Sequence, residues 1–347
     1  MRKELAGILT FLLFSYTLPS WGFLAITGSF LQLDGSNLSW KETEWRKELS
    51  YMKSLGMDTL IIAYVAWDST SFYPSRFLSQ FKSCGIRDTI ETLLSLSDRE
   101  KIDVYLGLYN WDWKGKGSEE DFKDFAELNI IVAKELHRLY SKHPSFKGWY
   151  ILSWELGNAP PPENPAVKAY IKVADFLRRI DKKRKIIIAP YFTLDITPEE
   201  LEEGWLKLLE ILKVDILALQ DGVGCDRGIK PEDIPSYFSA MKKAVKLRNV
   251  ELWGDLEVFD ILAGWKPAEI GRVKKQIEKM SPFVKKIVIW EFNHYMSPLK
   301  GSEQRKLYED YKKLLKEVRR SETARWQGCL DNGSKQGNWE SDSTGDG

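Results

Sequence analysis

From Ile26 onward the chain repeats one pattern eight times: a short run rich in aliphatic and aromatic residues, then a longer stretch with helical periodicity. The short runs are Ile26–Gln32, Thr59–Val65, Ile102–Leu108, Trp149–Glu155, Lys185–Phe192, Val214–Asp221, Val250–Val258 and Lys286–Asn293. Strands alternating with helices imply parallel strands joined by helical crossovers. Eight such pairs predict an α/β fold, a (β/α)8 TIM barrel built as a single domain. A doubly wound open sheet also alternates, but it needs no eighth pair and usually carries a glycine-rich first turn, which is absent here.

Helix starts are marked by local chemistry. Ser39 with Glu42 three residues on reads as a capping box for a helix reaching about Leu55, where Gly56 stops it. Thr197-Pro198-Glu199-Glu200 opens the fifth helix with proline at its first position and glutamate at its third. The others are expected over Asp88–Glu100, Ser118–His143, Pro165–Ile180, Pro231–Leu247, Pro267–Met280 and Ser302–Arg320.

The ends differ in composition from this middle. A basic start and an apolar run from Leu5 to Tyr16 match the hydrophobic region of a signal peptide, short of the ~20 residues that span a bilayer. Residues 1–22 are therefore expected to be a signal segment, or else a buried N-terminal helix. The barrel is expected over 23–320, and 321–347 as a disordered polar tail. A secreted or periplasmic protein with no stable membrane span follows, and a monomer is expected.

Net charge is +1, which gives no electrostatic case for nucleic acid as a partner. Three cysteines (Cys84, Cys225, Cys329) are widely spaced, with no CxxC pair. Three histidines (His137, His143, His294) are too few for a histidine-based metal centre, so neither metal nor cofactor is expected.

In this fold the site forms where strands end. The ends here are Gln32-Leu33-Asp34, Trp67, Tyr109-Asn110-Trp111-Asp112-Trp113, Trp154-Glu155, Tyr191, Gln220-Asp221, Trp253 with Asp255 and Glu257, and Trp290-Glu291-Phe292-Asn293. Carboxylates, amides and aromatics with almost no Lys or Arg argue against a phosphate or nucleotide. They suit a neutral polyhydroxylated ligand, whose ring faces pack on indoles and whose hydroxyls bond amides and carboxylates.

Alternation along strand seven places Trp253, Asp255 and Glu257 on one face, read as inward, with Leu252, Gly254 and Leu256 against the helices. On strand four, Ile151, Ser153 and Glu155 share a face opposite Tyr150, Leu152 and Trp154. Glu155 and Glu257 then converge as the two carboxylates that glycoside hydrolysis needs, with about 5–5.5 Å between them for retention and roughly 6.5–9.5 Å for inversion. Asp221 and Asp255 are the competing carboxylates. The Trp111/Trp113 pair is read as exposed at the rim for sugar stacking.

Five stretches carry a family resemblance: Gly28–Gln32, Lys147–Ile151, Ala189–Phe192, Leu219–Gly224 and Trp253–Phe259. On them the chain resembles domain of unknown function 4434, a glycosidase clan A-like TIM-barrel family. The resemblance implies the barrel, and by analogy carbohydrate hydrolysis with the acid/base on strand four and the nucleophile on strand seven. That maps onto Glu155 and Glu257, with retention expected over inversion. Better-known clan members carry Asn directly before the strand-four acid, and Trp154 stands there instead. Substrate contacts are expected from Gln32, Trp67, Trp111, Trp113, Trp154, Tyr191, Gln220, Asp221, Trp253, Asp255, Trp290, Glu291 and Asn293. The alternative function is a non-catalytic carbohydrate-binding TIM barrel.

Overall fold

The computed structural model describes residues 23–68, 70–78, 88–112, 114–152 and 156–335, and in it eight parallel strands close into a barrel. They are β1 (Ile26–Leu31), β2 (Thr59–Ile62), β3 (Asp103–Gly107), β4 (Phe146–Ile151), β5 (Lys185–Ile188), β6 (Ile216–Gln220), β7 (Glu251–Glu257) and β8 (Lys286–Trp290). Closure comes from β1, which pairs with β2 on one side and β8 on the other. The helices that follow the strands are α1 (Glu42–Ser54), α2 (Thr89–Glu100), α3 (Glu119–Tyr140), α4 (Pro165–Ile180), α5 (Pro198–Ile211), α6 (Ile234–Leu247), α7 (Ile270–Met280) and α8 (Ser302–Lys335). A one-turn helix, Phe292–Tyr295, follows β8. Among the described residues no helix is long and apolar enough to cross a membrane.

Capping explains several of these starts. Thr197 Oγ1 accepts from Glu200 N at 3.2 Å while Glu200 Oε2 accepts from Thr197 N at 2.7 Å, satisfying two amides that the first turn of α5 leaves open. Ser118 and Asp121 do the same for α3. The capping box expected at Ser39 and Glu42 lies two residues further on, where Glu44 accepts from the Lys41 amide at 2.9 Å. The last helix also departs from expectation: it runs on to Lys335 instead of ending near Arg320. No proline interrupts Ser321–Lys335, so nothing in the backbone forces a stop there.

Two apolar layers result. One lies between the strands and the helices and includes Trp149, Ile151, Leu252 and Leu256. The other fills the barrel itself with Phe30, Tyr105, Tyr150, Leu152, Ile187 and Trp253 among others. Phe30 and Tyr150 meet edge to face at 5.1 Å, and Tyr105 meets Trp253 at 6.0 Å. A fully buried side chain of this size contributes roughly 1.5–3 kcal/mol, and these rings make the lower barrel a packed core, with a cavity opening above it.

Strand seven faces as its alternation predicts: Trp253 lies inside, and a Cβ on Gly254 would fall 1.9 Å from Met280 Sδ of α7. Strand four is the reverse of the expectation. Tyr150 and Leu152 point into the barrel and Ile151 points at the helices. Both faces of a barrel strand are apolar, so hydrophobicity could not tell them apart. Ser153, Trp154 and Glu155 lie outside the described residues, as does Trp113.

One buried charge-bearing group ties the mouth of the barrel together. Glu48, on the inner face of α1, accepts hydrogen bonds from Asn293 Nδ2 at 2.7 Å and from the Ser297 hydroxyl. Asn37 Nδ2 in turn donates to Asn293 Oδ1 at 3.1 Å and to Gln32 O at 2.8 Å. Helix α1, the loop after β1 and the loop after β8 are thus one hydrogen-bonded unit. Burial pushes the Glu48 carboxyl up to about 7, against the opposing pull of Ser297 and Asn293. A carboxyl that holds its proton more tightly when folded lends stability that is complete below about pH 4 and is lost as pH rises through about 7. Urea unfolding at pH 5 and pH 8 should therefore show a smaller loss for Glu48→Gln than for the wild type. Glu48→Ala, which strands the Asn293 and Ser297 donors, should cost roughly 2–4 kcal/mol at pH 5. An unchanged pH slope in Glu48→Gln would contradict this role.

Candidate active site

A cavity of about 660 Å³ opens above the ends of β1, β6, β7 and β8, at Gln32, Gln220, Glu257 and Trp290. Strand β7 rises through three levels beneath it. Trp253 belongs to the packed core, Asp255 pairs across with Gln220 and Val288, and Glu257 pairs with Trp290. Asp255 and Glu257 form part of the cavity wall, although each is at most 2% exposed.

Glu257 is held by donors from the loop after β6. Its Oε2 accepts from Gly224 N at 2.7 Å and Cys225 N at 3.0 Å, and its Oε1 accepts from Cys225 Sγ at 3.2 Å. The loop can come this close because residue 224 is glycine: a Cβ there would fall 2.4 Å from Phe259 O. Arg227, whose guanidinium lies 3.9 Å over the Tyr191 ring, adds positive charge on the same side. Burial raises the Glu257 carboxyl, and the thiol, the Gly224 amide and Arg227 all pull it back down. The neighbouring anion in turn helps burial push the Cys225 thiol well up, so it stays a neutral donor.

Asp221 lies beneath this arrangement. It is fully buried, accepts from Gln276 Nε2 at 2.6 Å, Val223 N at 3.2 Å and Glu257 N at 3.3 Å, and is not part of the cavity wall. It anchors backbone and lies behind the wall of the cavity, whereas it was expected among the substrate contacts. Burial and the charge of Glu257 push it up to about 7. Arg272 completes the scaffold, donating to the carbonyls of Glu257 at 3.2 Å and of Phe259, and to Gln276 Oε1 at 3.1 Å.

Asp255 has no such support. Its Oδ1 is buried without a hydrogen-bond partner among the described residues. Burial, then the charges of Glu257 and Asp221, raise its carboxyl well above the usual range. Of the three neighbouring carboxyls it has the least hydrogen-bond support among the described residues, so the wall sets an unsupported carboxyl below a well-held one.

The adjoining wall, on β8 and β1, holds a second constellation. Glu291 Oε2 accepts from Gln32 N at 2.5 Å, and its Oε1 bonds His294 Nδ1. His294 Nε2 lies 2.9 Å from Asp34 Oδ2. Burial works to raise Asp34, but hydrogen bonds from His294 and Ser36 outweigh it and hold the carboxyl well below its usual range. The Trp290–Glu291 peptide is cis. Among the described residues no group of three His, Cys, Asp or Glu side chains could hold a metal ion.

Of the expected substrate contacts, Gln32, Gln220, Asp255, Trp290 and Glu291 meet around this cavity, together with Glu257, the expected nucleophile. Trp253 sits below it in the core, its Nε1 donating to Glu251 Oε2 at 3.1 Å. Asn293 is buried toward α1. Trp111 is buried against Tyr109 and Phe125 with Lys116 above it at 4.1 Å, so it is packing and not an exposed rim platform. The apolar face of α3 supplies the partner that its own loop lacks. Trp67 is half-buried beside Tyr64, away from the cavity wall, and Tyr191 stands behind Arg227. Residues not foreseen as contacts are Asp34, Cys225, Arg227, Phe259, Trp265, His294 and Tyr295. Gly222-Val223-Gly224 marked a close backbone approach after β6, which was the available signal for Cys225 and Arg227.

A closed parallel barrel of eight strands with a cleft at its C-terminal mouth defines a TIM barrel, and solved structures share this fold. A candidate α-L-fucosidase from Bacteroides thetaiotaomicron aligns at TM-score 0.72 and 24% identity, covering 90% of this chain and 98% of that one. The endo-β-1,4-mannanase of Thermotoga petrophila aligns at TM-score 0.57 and 13% identity over 84% of this chain and 77% of its own. A GH18 chitinase from Pseudoalteromonas aurantia gives TM-score 0.53 and 15% identity, covering 85% and 100%. No curated protein matches the chain significantly. The chain belongs to the family of domain of unknown function DUF4434, whose model matches residues 26–302.

The unsupported carboxyl of Asp255 makes a measurable demand on stability. Its raised proton affinity means that the stability it lends is present below about pH 4 and is lost as pH rises, with no compensating donor to Oδ1 among the described residues. Asp255→Asn, isosteric and uncharged, should therefore be more stable than wild type at pH 8, by about 1 kcal/mol or more, and nearly equal at pH 4. Chemical denaturation at both pH values checks this; a variant less stable than wild type at pH 8 would contradict it.

Proposed function

We propose that this protein is a retaining O-glycoside hydrolase acting on an oligo- or polysaccharide, with Glu257 as nucleophile and Glu155 as acid/base. The observation that carries the reading is the carboxylate of Glu257, set in the cavity wall and held by two backbone amides and a thiol. Such donors fix its direction and favour its charged form, as a nucleophile requires. Glu155 stands at the end of the fourth β-rich run, where clan members carry the acid, so that half of the proposal rests on chain order.

In the proposed reaction a Glu257 oxygen bonds to the anomeric carbon as the glycosidic C–O bond breaks, and Glu155 delivers its proton to the departing oxygen. Water then attacks the glycosyl ester, giving its proton to Glu155 and releasing Glu257. Gln32, Gln220 and Glu291 are placed to exchange hydrogen bonds with sugar hydroxyls, and Trp290 to pack on a ring face. Export from the cytoplasm is part of the proposal, supported by the basic start and the apolar run from Leu5 to Tyr16.

Incubation with a panel of aryl glycosides and oligosaccharides, read by NMR for the anomer first released, tests the reading. Retention is expected. Glu257→Ala should lose turnover and regain it with azide, yielding the glycosyl azide of inverted configuration. Glu155→Gln should lower kcat by about 10²–10⁴ on substrates with poor leaving groups while binding persists. An inverted first product, or full turnover in either variant, would overturn the assignment.

A further inference from the structure

The wall of the cavity continues upward into a hairpin that the chemistry above does not use. Phe259–Asp260 pairs antiparallel with Lys266–Pro267, and the loop between them rises at the rim. Its Trp265 lines the cavity and is nevertheless 56% exposed. One face of the indole lies on Phe259, stacked at 5.4 Å and 24°. Phe259 is itself buried and rests against Tyr295 at 5.2 Å.

The hairpin is fixed. Ile261 N donates to Gly224 O at 2.9 Å, Ala268 N to Val258 O at 2.8 Å, and Arg272 reaches the Phe259 carbonyl from below. Its anchors are therefore the same loop and arginine that hold Glu257. A single exposed indole is ordinary on a surface, but one that lines a cleft is a contact for what the cleft takes. Here it is held rigid, backed by a second ring and continuous with the cleft. Asp226 lines the same cavity. A protein partner needs about 800 Å² of surface on each side, far more than one indole and the neighbouring Leu262 present. A single pyranose face matches the platform in size and character.

We infer that the hairpin Phe259–Pro267 carries an outer sugar subsite with Trp265 as its platform. The substrate is then a chain of several pyranose residues, one held in the cavity and another on the indole. This inference rests on the glycosidase reading and adds to it a chain-length preference with a named cause.

The test uses the full-length protein and oligosaccharides of two to six residues, in whichever linkage the wild type cleaves from gluco-, manno-, galacto-, fuco- and xylo-configured chains. The readout is the ratio of kcat/KM on the longest to that on the shortest. Trp265→Ala should shrink this ratio about tenfold, equivalent to about 1.4 kcal/mol. Trp265→Tyr should retain most of it, and Leu262→Ser, at the exposed tip and off the cavity wall, should leave it at the wild-type value. An unchanged ratio in Trp265→Ala, or an equal loss in Leu262→Ser, overturns the subsite. If the wild type cleaves nothing, the hydrolase reading fails, and affinity electrophoresis through the parent polysaccharides then decides the platform alone. Retardation lost in Trp265→Ala supports it, and equal or absent retardation overturns it.

Discussion

Three carboxyl groups share a low-dielectric volume at the top of β6 and β7, and they cannot all be charged there. The structure meets this constraint by unequal support. Glu257 receives two amides, a thiol and the field of Arg227; Asp221 receives a side-chain amide and two backbone amides; Asp255 Oδ1 receives no donor among the described residues. The result is a well-held carboxyl and an unsupported one within one wall. Much of the surrounding architecture serves that division. Gly224 lets the β6 loop approach, Arg272 and Gln276 pin the backbone behind it, and the hairpin after β7 is fastened to the same loop.

The adjoining wall is built by different means toward the same end. Glu291 and His294 come from the segment after β8, and Asp34 from the loop after β1. Their positions depend on Glu48, a buried carboxyl on α1 that holds Asn293 and Ser297. Buried polar groups of this kind favour one arrangement more than they add stability, since a partner lost leaves its neighbours unpaired. The cavity therefore sits between two polar scaffolds, each anchored to a helix outside the barrel: Gln276 and Arg272 on α7, Glu48 on α1.

The barrel was legible in the sequence because it depends on patterns repeated eight times, and no single residue decides it. The inward placement of Asp255 and Glu257 was legible too, since Gly254 and two leucines marked the other face of β7. Strand four failed the same test because Tyr150, Ile151 and Leu152 are apolar on both faces. The tryptophans show the limit most clearly. Trp111 and Trp253 are core, whereas Trp265, on a hairpin that no periodicity announces, stands at the rim. The pairing of Asp34 with His294 joins residues 260 positions apart, a separation at which one sequence carries no signal.

The central claim is that Glu257 attacks the anomeric carbon. Its most direct test is to incubate the protein with a set of 2-deoxy-2-fluoro glycosides bearing good leaving groups, then to map the modified peptide by mass spectrometry. One fluoroglycosyl adduct on Glu257 is the expected result. An adduct on Glu155, Asp255 or Glu291, or turnover of the parent glycosides with no adduct on any carboxyl, would contradict it.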